Sequence, residues 1–280
     1  MFLSYGIQGT VTLQETMLKI FPSDRFNLAG FLLLPVIAIA CGSAQDKTMD
    51  VPELISIPLY PHTIGKIPVP QGYTRVTSAA GSFAEWLRNV PLKKDKTVYL
   101  CNGIPKPNQS AQFAVVDIPV GNKDLQQCAD VVMRLRAEYL FVCRQYNNIS
   151  FTDYAGKNYQ WRGTDNRKQF EQYLENVFGW CGSASLEKQL KLVAGIRNLQ
   201  AGDVFIKGGF PGHAMIVADV AVNNKGEKAF LLVQGYQPAQ DIHVVVNPMN
   251  TALSPWYKIT DASVIQTPEW TFYKNQLRRW

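Results

Sequence analysis

The chain is poor in the side chains that usually hold metals, with five cysteines and three histidines among its 280 residues. Its cysteines are irregularly spaced and form no CxxC or other metal-ligand pattern, so we expect neither a zinc site nor another cofactor. Internal repeats and low-complexity segments are missing. No segment after residue 40 is long and apolar enough to span a bilayer, which leaves a globular fold as the expectation for the remaining chain.

Long basic runs are also missing, although the formal net charge is +6. Basic side chains are spread along the chain and form only short clusters such as Lys93-Lys94 and Arg278-Arg279. Nucleic-acid binding is therefore not expected, whereas a basic surface suits an anionic cell envelope.

The region before residue 41 has the pattern of an export signal. Its apolar run, residues 28–40, is too short to span a bilayer comfortably and follows Lys19 and Arg25. Because a signal peptide begins close to its basic residues, we expect translation to start at Met17 rather than Met1. Residues 1–40 are thus expected to be removed, and the mature protein to be extracytoplasmic.

The run ends in Ala38-Ile39-Ala40-Cys41, which resembles the lipobox of bacterial lipoproteins. The resemblance implies a lipid on Cys41 that anchors the protein in a membrane, and ordinary signal cleavage nearby is the alternative. Gly42 and Ser43 follow the cysteine in place of an acidic residue, which resembles the pattern of lipoproteins sent to the outer membrane.

Residues 41–70 and 71–280 differ in character. The first segment carries spaced prolines, which favour extended chain and predict a tether or a wrapping arm. The second is long enough for one domain with a sizeable core. Its first predicted helix begins after Ser82, in a capping-box pattern, and ends before Pro91.

A longer helix is predicted to begin at Asp124, because apolar residues then recur every three or four positions up to Val142. Two more helices are predicted around residues 170–178 and 185–195. Strands are predicted at 97–100, 112–118, 203–206, 214–222, 228–234 and 242–246, with a hairpin turn at 223–226. The order of elements predicts an α+β fold in which helices pack on an antiparallel sheet.

Cys128 and His213 are the candidate chemical pair. A cysteine near the beginning of a helix and close to an imidazole has a lowered pKa, which favours the nucleophilic thiolate. His213 opens a strand directly after the glycine-rich loop 208–212. Gln234 lies near it across the predicted hairpin, where its side-chain oxygen could orient the imidazole.

These residues resemble the pattern of NlpC and CHAP cysteine hydrolases, a papain-like group found in bacterial cell walls. The pattern is a cysteine opening a helix, Gly202-Asp203 before a strand, a histidine opening the next strand, and a polar third member on its hairpin partner. The resemblance implies a papain-like fold with Cys128, His213 and Gln234 as catalytic residues. It departs from the usual pattern in having Gln127 before the cysteine and a glutamine as third member. The oxyanion would lie at the Cys128 N–H, with Gln127 as a possible side-chain donor.

Two other segments, Asp124 to Asp130 and Thr267 to Trp270, resemble an uncharacterised family of bacterial envelope proteins, a domain of unknown function. Two functions are therefore expected as alternatives. One is a cysteine hydrolase that cleaves an amide bond in cell-wall peptide. The other is a non-catalytic envelope module that binds cell-wall peptide or glycan, in which Cys128 is a small buried residue and His213 a structural one.

Overall fold

The computed structural model describes residues 60–259 and 264–280. Cys41, the export signal and most of the predicted tether lie outside these residues. Within the described residues, no helix is long and apolar enough to cross a membrane.

Four α-helices and thirteen strands are found in this part of the chain. The helices are α1 (Phe83–Asn89), α2 (Cys128–Val142), α3 (Arg167–Trp180) and α4 (Ser183–Gln189). The strands are β1 (Tyr73–Arg75), β2 (Gln112–Val115), β3 (Ser150–Thr152), β4 (Asn158–Gln160), β5 (Lys191–Leu192), β6 (Val204–Lys207), β7 (His213–Asn223), β8 (Lys228–Gln234), β9 (His243–Val245), β10 (Tyr257–Lys258), β11 (Val264–Gln266), β12 (Thr271–Tyr273) and β13 (Leu277–Arg279). Short 3₁₀ helices lie at Ile64–Lys66, Tyr146–Asn148, Ile196–Asn198 and Lys274–Gln276.

The main sheet has the strand order β2-β9-β8-β7-β6-β13-β5, with β1 added to β7 and β10 to β8. Every pairing within it is antiparallel. Two separate hairpins, β3-β4 and β11-β12, lie outside it. The predicted α+β fold with an antiparallel sheet is confirmed.

Helix α1 follows the sequence prediction closely. The Ser82 hydroxyl accepts a hydrogen bond from the Glu85 N–H at 3.2 Å, and the Glu85 carboxylate accepts one from the Gly81 N–H at 2.6 Å. These two bonds satisfy donors at the helix N-terminus, and the helix ends at Asn89 before Pro91.

The predicted beginning of the long helix at Asp124 is wrong, because α2 begins at Cys128. The Asp124 carboxylate accepts from the Ala239 N–H at 2.7 Å and so ties the preceding loop to the end of the sheet. Asp130 has the capping role instead, since its carboxylate accepts from the Gln127 N–H at 2.9 Å. Cys128 is consequently the first helical residue.

Residues 61–70 pack on the domain, although the sequence analysis placed them in the tether. Ile64 and Ile67 are fully buried, and the Pro68 carbonyl accepts a hydrogen bond from the Trp256 indole at 2.7 Å. In the described part of the chain, this segment therefore follows the wrapping-arm alternative.

Strands β7 and β8 form the centre of the sheet, and their register is offset by a bulge at Ala218. Ile216 lies opposite Val233, whereas Asp219 lies opposite Leu231. The extra residue moves the register by one position, so that His213 and Gln234 lie diagonally on the same face of the sheet instead of on opposite faces.

Both faces of the sheet are covered. Because side chains alternate along each strand, their positions show which face each one belongs to. One face carries Met215, Val217 and Leu232, which form a buried cluster with Phe205 and Phe272. Helix α2 packs on the other face, at Gly235, where an added Cβ would lie 2.6 Å from a Val131 methyl carbon.

Candidate functional site

His213 and Gln234 are joined by a hydrogen bond on the face of the sheet opposite α2. The His213 Nε2 and Gln234 Oε1 atoms are 2.9 Å apart, and both side chains are buried. Since an amide oxygen only accepts, this contact requires a proton on His213 Nε2 and leaves the Nδ1 lone pair available.

The Gln234 amide nitrogen has two partners of its own. It donates to Glu269 Oε2 at 2.8 Å and lies 3.0 Å from His243 Nε2. His243 Nδ1 is 2.9 Å from the carbonyl oxygen of Asp241, which can only accept. His243 therefore carries its proton on Nδ1 and accepts the Gln234 bond at Nε2.

Aromatic rings enclose the His213 imidazole. Its centroid lies 5.0 Å from Tyr236, 5.2 Å from Trp270 and 5.8 Å from Phe272. Burial lowers the pKa of His213 to about 4, and the Lys106 charge adds to this effect, although the bond to Gln234 opposes it. The imidazole is neutral at pH 7, as a general base must be before it accepts a proton.

The thiol of Cys128 lies at the beginning of β7. The backbone N–H groups of Ala129, Ala214 and Cys128 itself each act to lower the pKa of the thiol. Ala214 directly follows His213 in the chain, so the thiol is next to the backbone of the candidate base. N–H groups at the beginning of a helix also favour negative charge.

The expectation of a lowered Cys128 pKa is wrong in this structure. Burial is the main cause that raises the pKa of the thiol to about 11, and the nearby Asp130 carboxyl adds to it, although the three N–H groups oppose both. Burial also raises the pKa of Asp130 well above its ordinary value. The resting thiol is therefore protonated at neutral pH.

Helix α2 and the His213–Gln234 pair lie on opposite faces of the sheet. Helix α2 contacts the face that carries Gly235, while alternation along β8 directs Gln234 to the opposite face. Cys128 is the first residue of its helix, and its thiol contacts the backbone N–H of Ala214 in β7, whereas the His213 side chain bonds to Gln234 on the opposite face. Burial raises the pKa of the nearby Tyr236 phenol, and Glu269 and Cys128 add to this effect.

Gln127, the predicted oxyanion donor, directly precedes α2 and is half-buried. Its side-chain amide donates to Asp124 Oδ1 at 3.0 Å, which occupies one of its two N–H groups. The second N–H has the hydrogen-bonding capacity that an oxyanion requires.

Sequence reasoning missed Lys106 and Glu269, which form an ion pair of 2.7 Å beside Gln234. The Lys106 side chain is 5% exposed, and that of Glu269 is 12% exposed. The signal for Glu269 was the segment Thr267 to Trp270, which stood out by resemblance but had no assigned role. It forms the turn between β11 and β12, where the Thr267 hydroxyl donates to the Trp270 carbonyl at 2.7 Å.

In the described residues, no group of three or more His, Cys, Asp or Glu side chains is placed to hold a metal ion. Cys101, Cys128, Cys143 and Cys181 are all free thiols.

Comparison with known proteins adds a family. A family model described as Domain of unknown function (4846) matches residues 64–165 and 155–279, which together make up most of the chain. No curated protein and no solved structure matches it.

Proposed function

The chain belongs to the family described as Domain of unknown function (4846), and from the geometry of its site we propose that it is a cysteine hydrolase that cleaves an amide bond in cell-wall peptide. The observation that carries the proposal is the hydrogen bond from His213 Nε2 to Gln234 Oε1, formed one residue from the backbone N–H that faces the Cys128 thiol. The bond leaves the His213 Nδ1 lone pair available, and the proposal assigns this atom as the base for the thiol.

The proposed reaction begins from a neutral thiol and a neutral imidazole. When a substrate carbonyl is bound, His213 takes the Cys128 proton as the sulfur attacks, so a carbon–sulfur bond forms and the carbonyl oxygen becomes an oxyanion. The N–H groups at the beginning of α2 stabilise that charge, and Gln127 is a further donor. The C–N bond then breaks as His213 returns the proton to the leaving amine, and water hydrolyses the thioester.

A papain-like relationship of the NlpC and CHAP type is part of the proposal. The order of elements supports it: a helix that begins at the cysteine, then a Gly-Asp segment before β6, then β7 beginning at His213 and β8 ending at Gln234. The position of Tyr236 over the histidine is a further support, since the ring shields the His213–Gln234 bond from water.

We further propose that the protein is exported and anchored in a membrane through a lipid on Cys41, in the outer membrane or on another periplasmic face. The support is the sequence of residues 28–41, which lies outside the described residues. Anchoring there would give the domain access to peptidoglycan, which is the reason for choosing a cell-wall peptide as substrate.

The test is turnover of purified muropeptides by the full-length protein, followed by chromatography of the products. Wild-type protein should release a new amine, Cys128→Ala and His213→Ala should remove turnover, and Gln234→Ala should lower it without abolishing it, because orientation is only part of the barrier. Cys101→Ser is the matched control and should retain full turnover. Intact muropeptides with folded wild-type protein would overturn the proposal.

A non-catalytic binding or scaffolding module is the second candidate. The raised pKa of Cys128 favours it, because the resting thiol is protonated and is not the nucleophilic thiolate. Under this candidate, folded wild-type protein would bind cell-wall peptide or glycan without cleaving it, and Cys128→Ala would leave the binding affinity unchanged.

A further inference from the structure

The buried ion pair between Lys106 and Glu269 lies outside the proposed catalytic residues but contacts them through one bond. Lys106 comes from the loop that precedes β2, and Glu269 from the turn between β11 and β12. Their charged atoms are 2.7 Å apart, and Glu269 accepts from the Gln234 amide nitrogen at 2.8 Å. Lys106 also lies 5.9 Å from the centre of the Tyr236 ring.

The orientation of the Gln234 amide decides which atom faces His213. A glutamine amide can turn by half a rotation with almost no change in shape, which exchanges its oxygen and nitrogen. In this site the nitrogen faces two acceptors, the Glu269 carboxylate and His243 Nε2. Turning the amide would place its oxygen against both acceptors and lose both bonds.

We propose that Lys106 and Glu269 are positioning residues that hold the Gln234 oxygen against His213 and thereby keep the His213 proton on Nε2. Glu269 selects the amide orientation because an ionised carboxylate only accepts hydrogen bonds. Lys106 pairs with that carboxylate at 2.7 Å and so fixes the position of the oxygen that accepts from the Gln234 amide.

The consequence for chemistry rests on the proposed function. With the proton on Nε2, the Nδ1 lone pair can receive the Cys128 proton. With the amide turned, the Gln234 nitrogen would donate to Nε2, and the proton would move to Nδ1, where it blocks that transfer. The wrong histidine tautomer in a hydrolytic site lowers turnover by about 10⁴-fold in the best-studied case, so a partly populated wrong tautomer should lower it on the order of tenfold or more.

The test measures the tautomer directly, by long-range ¹H–¹⁵N spectra of histidine-labelled full-length protein. The wild type should show His213 protonated on Nε2. Glu269→Leu and Lys106→Met should move a substantial part of the population to Nδ1–H, whereas Lys106→Arg should keep the wild-type pattern because it retains the charge. If His213 stays entirely Nε2–H in folded Glu269→Leu, the proposal is wrong.

Two control experiments show whether a change of the His213 tautomer is specific to the Lys106–Glu269 pair. Lys123 and Glu175 form an ion pair of the same 2.7 Å length on the surface, so Glu175→Leu and Lys123→Met should leave the spectrum of His213 unchanged. If Glu269→Leu does not fold, the tautomer of His213 is measured in the isosteric variant Glu269→Gln instead. It retains one acceptor oxygen but loses the charge, and should give a partial shift; an unchanged tautomer in that variant also overturns the proposal.

The spectra and the muropeptide assay answer separate questions. If the tautomer shifts as expected while the wild type cleaves nothing, the positioning role stands and the hydrolase proposal fails. If the wild type cleaves and Glu269→Gln retains both full turnover and the wild-type tautomer, the hydrolase proposal stands and the positioning role fails.

Discussion

The backbone N–H of Ala214 faces the thiol of Cys128, so the first residue of α2 lies beside the beginning of β7. This closeness depends on how tightly α2 approaches the sheet. Gly235 supplies the space, because an added Cβ there would lie 2.6 Å from a Val131 methyl carbon and 3.1 Å from the Gln127 carbonyl oxygen. The position of the thiol is thus set partly by Gly235, the residue directly after β8.

Gly235→Ala should therefore destabilise the domain and displace Cys128. Overpacking of this kind costs about 1–3 kcal/mol, which urea unfolding can measure. Val131→Ala removes the methyl group that an alanine at position 235 would meet. The double variant should therefore lose less unfolding free energy than the two single variants lose in sum. Strictly additive effects of the two substitutions would show that α2 does not approach Gly235 as closely as described.

The raised pKa of Cys128 predicts slow alkylation at neutral pH. Only the thiolate reacts with iodoacetamide, and a thiol with a pKa of about 11 has little thiolate at pH 7. The labelling rate should rise about tenfold per pH unit well below the pKa, as simple titration requires. Peptide mass spectrometry after timed labelling measures it, with Cys128→Ser confirming the peptide. Fast labelling that does not change between about pH 6 and 8 would instead indicate a preformed thiolate.

Much of the fold was predictable because its local signals are strong. The capping pattern at Ser82 and the apolar alternation of β7 and β8 each specify an element by nearby residues alone. The beginning of α2 was misplaced because Asp124 and Asp130 are both acceptable caps. Only the distant Ala239 N–H, which binds Asp124, decides between them.

The site was predictable only in part. Counting residues across the hairpin placed His213 near Gln234, but the bulge at Ala218, which the count did not include, is what brings both side chains to one face. Glu269 could not be found in this way, because it reaches Gln234 from a separate hairpin 35 residues along the chain. The pKa of Cys128 was also beyond sequence reasoning, since burial sets it.

Asp219 should contribute far more to the free energy of unfolding than an exposed acidic residue that also forms an ion pair. It is fully buried and is held by Arg75 at 2.7 Å and Arg88 at 2.6 Å, so it links β1 and α1 to β7. Asp219→Asn leaves both guanidinium groups without a counter-charge, and loss of one partner of a buried ion pair costs about 3–5 kcal/mol. Glu175→Gln, on the exposed Lys123 pair, should cost about 0–1 kcal/mol. Similar unfolding free energies for the two variants would contradict this account.

The proposed lipid on Cys41 predicts that Cys41→Ser releases the protein from membranes. The substitution removes the thiol to which the lipid would be attached, while leaving the described domain unaltered. Metabolic labelling with a fatty acid and fractionation of the envelope measure the outcome. Equal labelling of the variant would show that Cys41 is not the attachment site, and an unlabelled, soluble wild type would support ordinary signal cleavage.

Two buried histidines predict a loss of stability in mild acid. Burial is the main cause that lowers the pKa of His213 to about 4 and that of His243 to about 3, from 6.5. The unfolded chain takes up these protons at a higher pH than the folded chain does. The contribution of the two neutral histidines to the free energy of unfolding is therefore fully present above about pH 6.5. It is lost as the pH falls towards the pKa values of the histidines in the folded protein.

The expected slope is about 1.4 kcal/mol per pH unit for each histidine within that range. Asp130 acts in the opposite direction, because its raised pKa lets the folded state bind a proton first. Comparison of variants separates the two effects: the unfolding free energy of His243→Gln should fall less steeply between about pH 6 and 5 than that of the wild type. His62→Gln removes an exposed imidazole and is the control, which should follow the wild-type curve. Parallel curves for wild type and His243→Gln would mean that His243 is not held neutral by the folded protein.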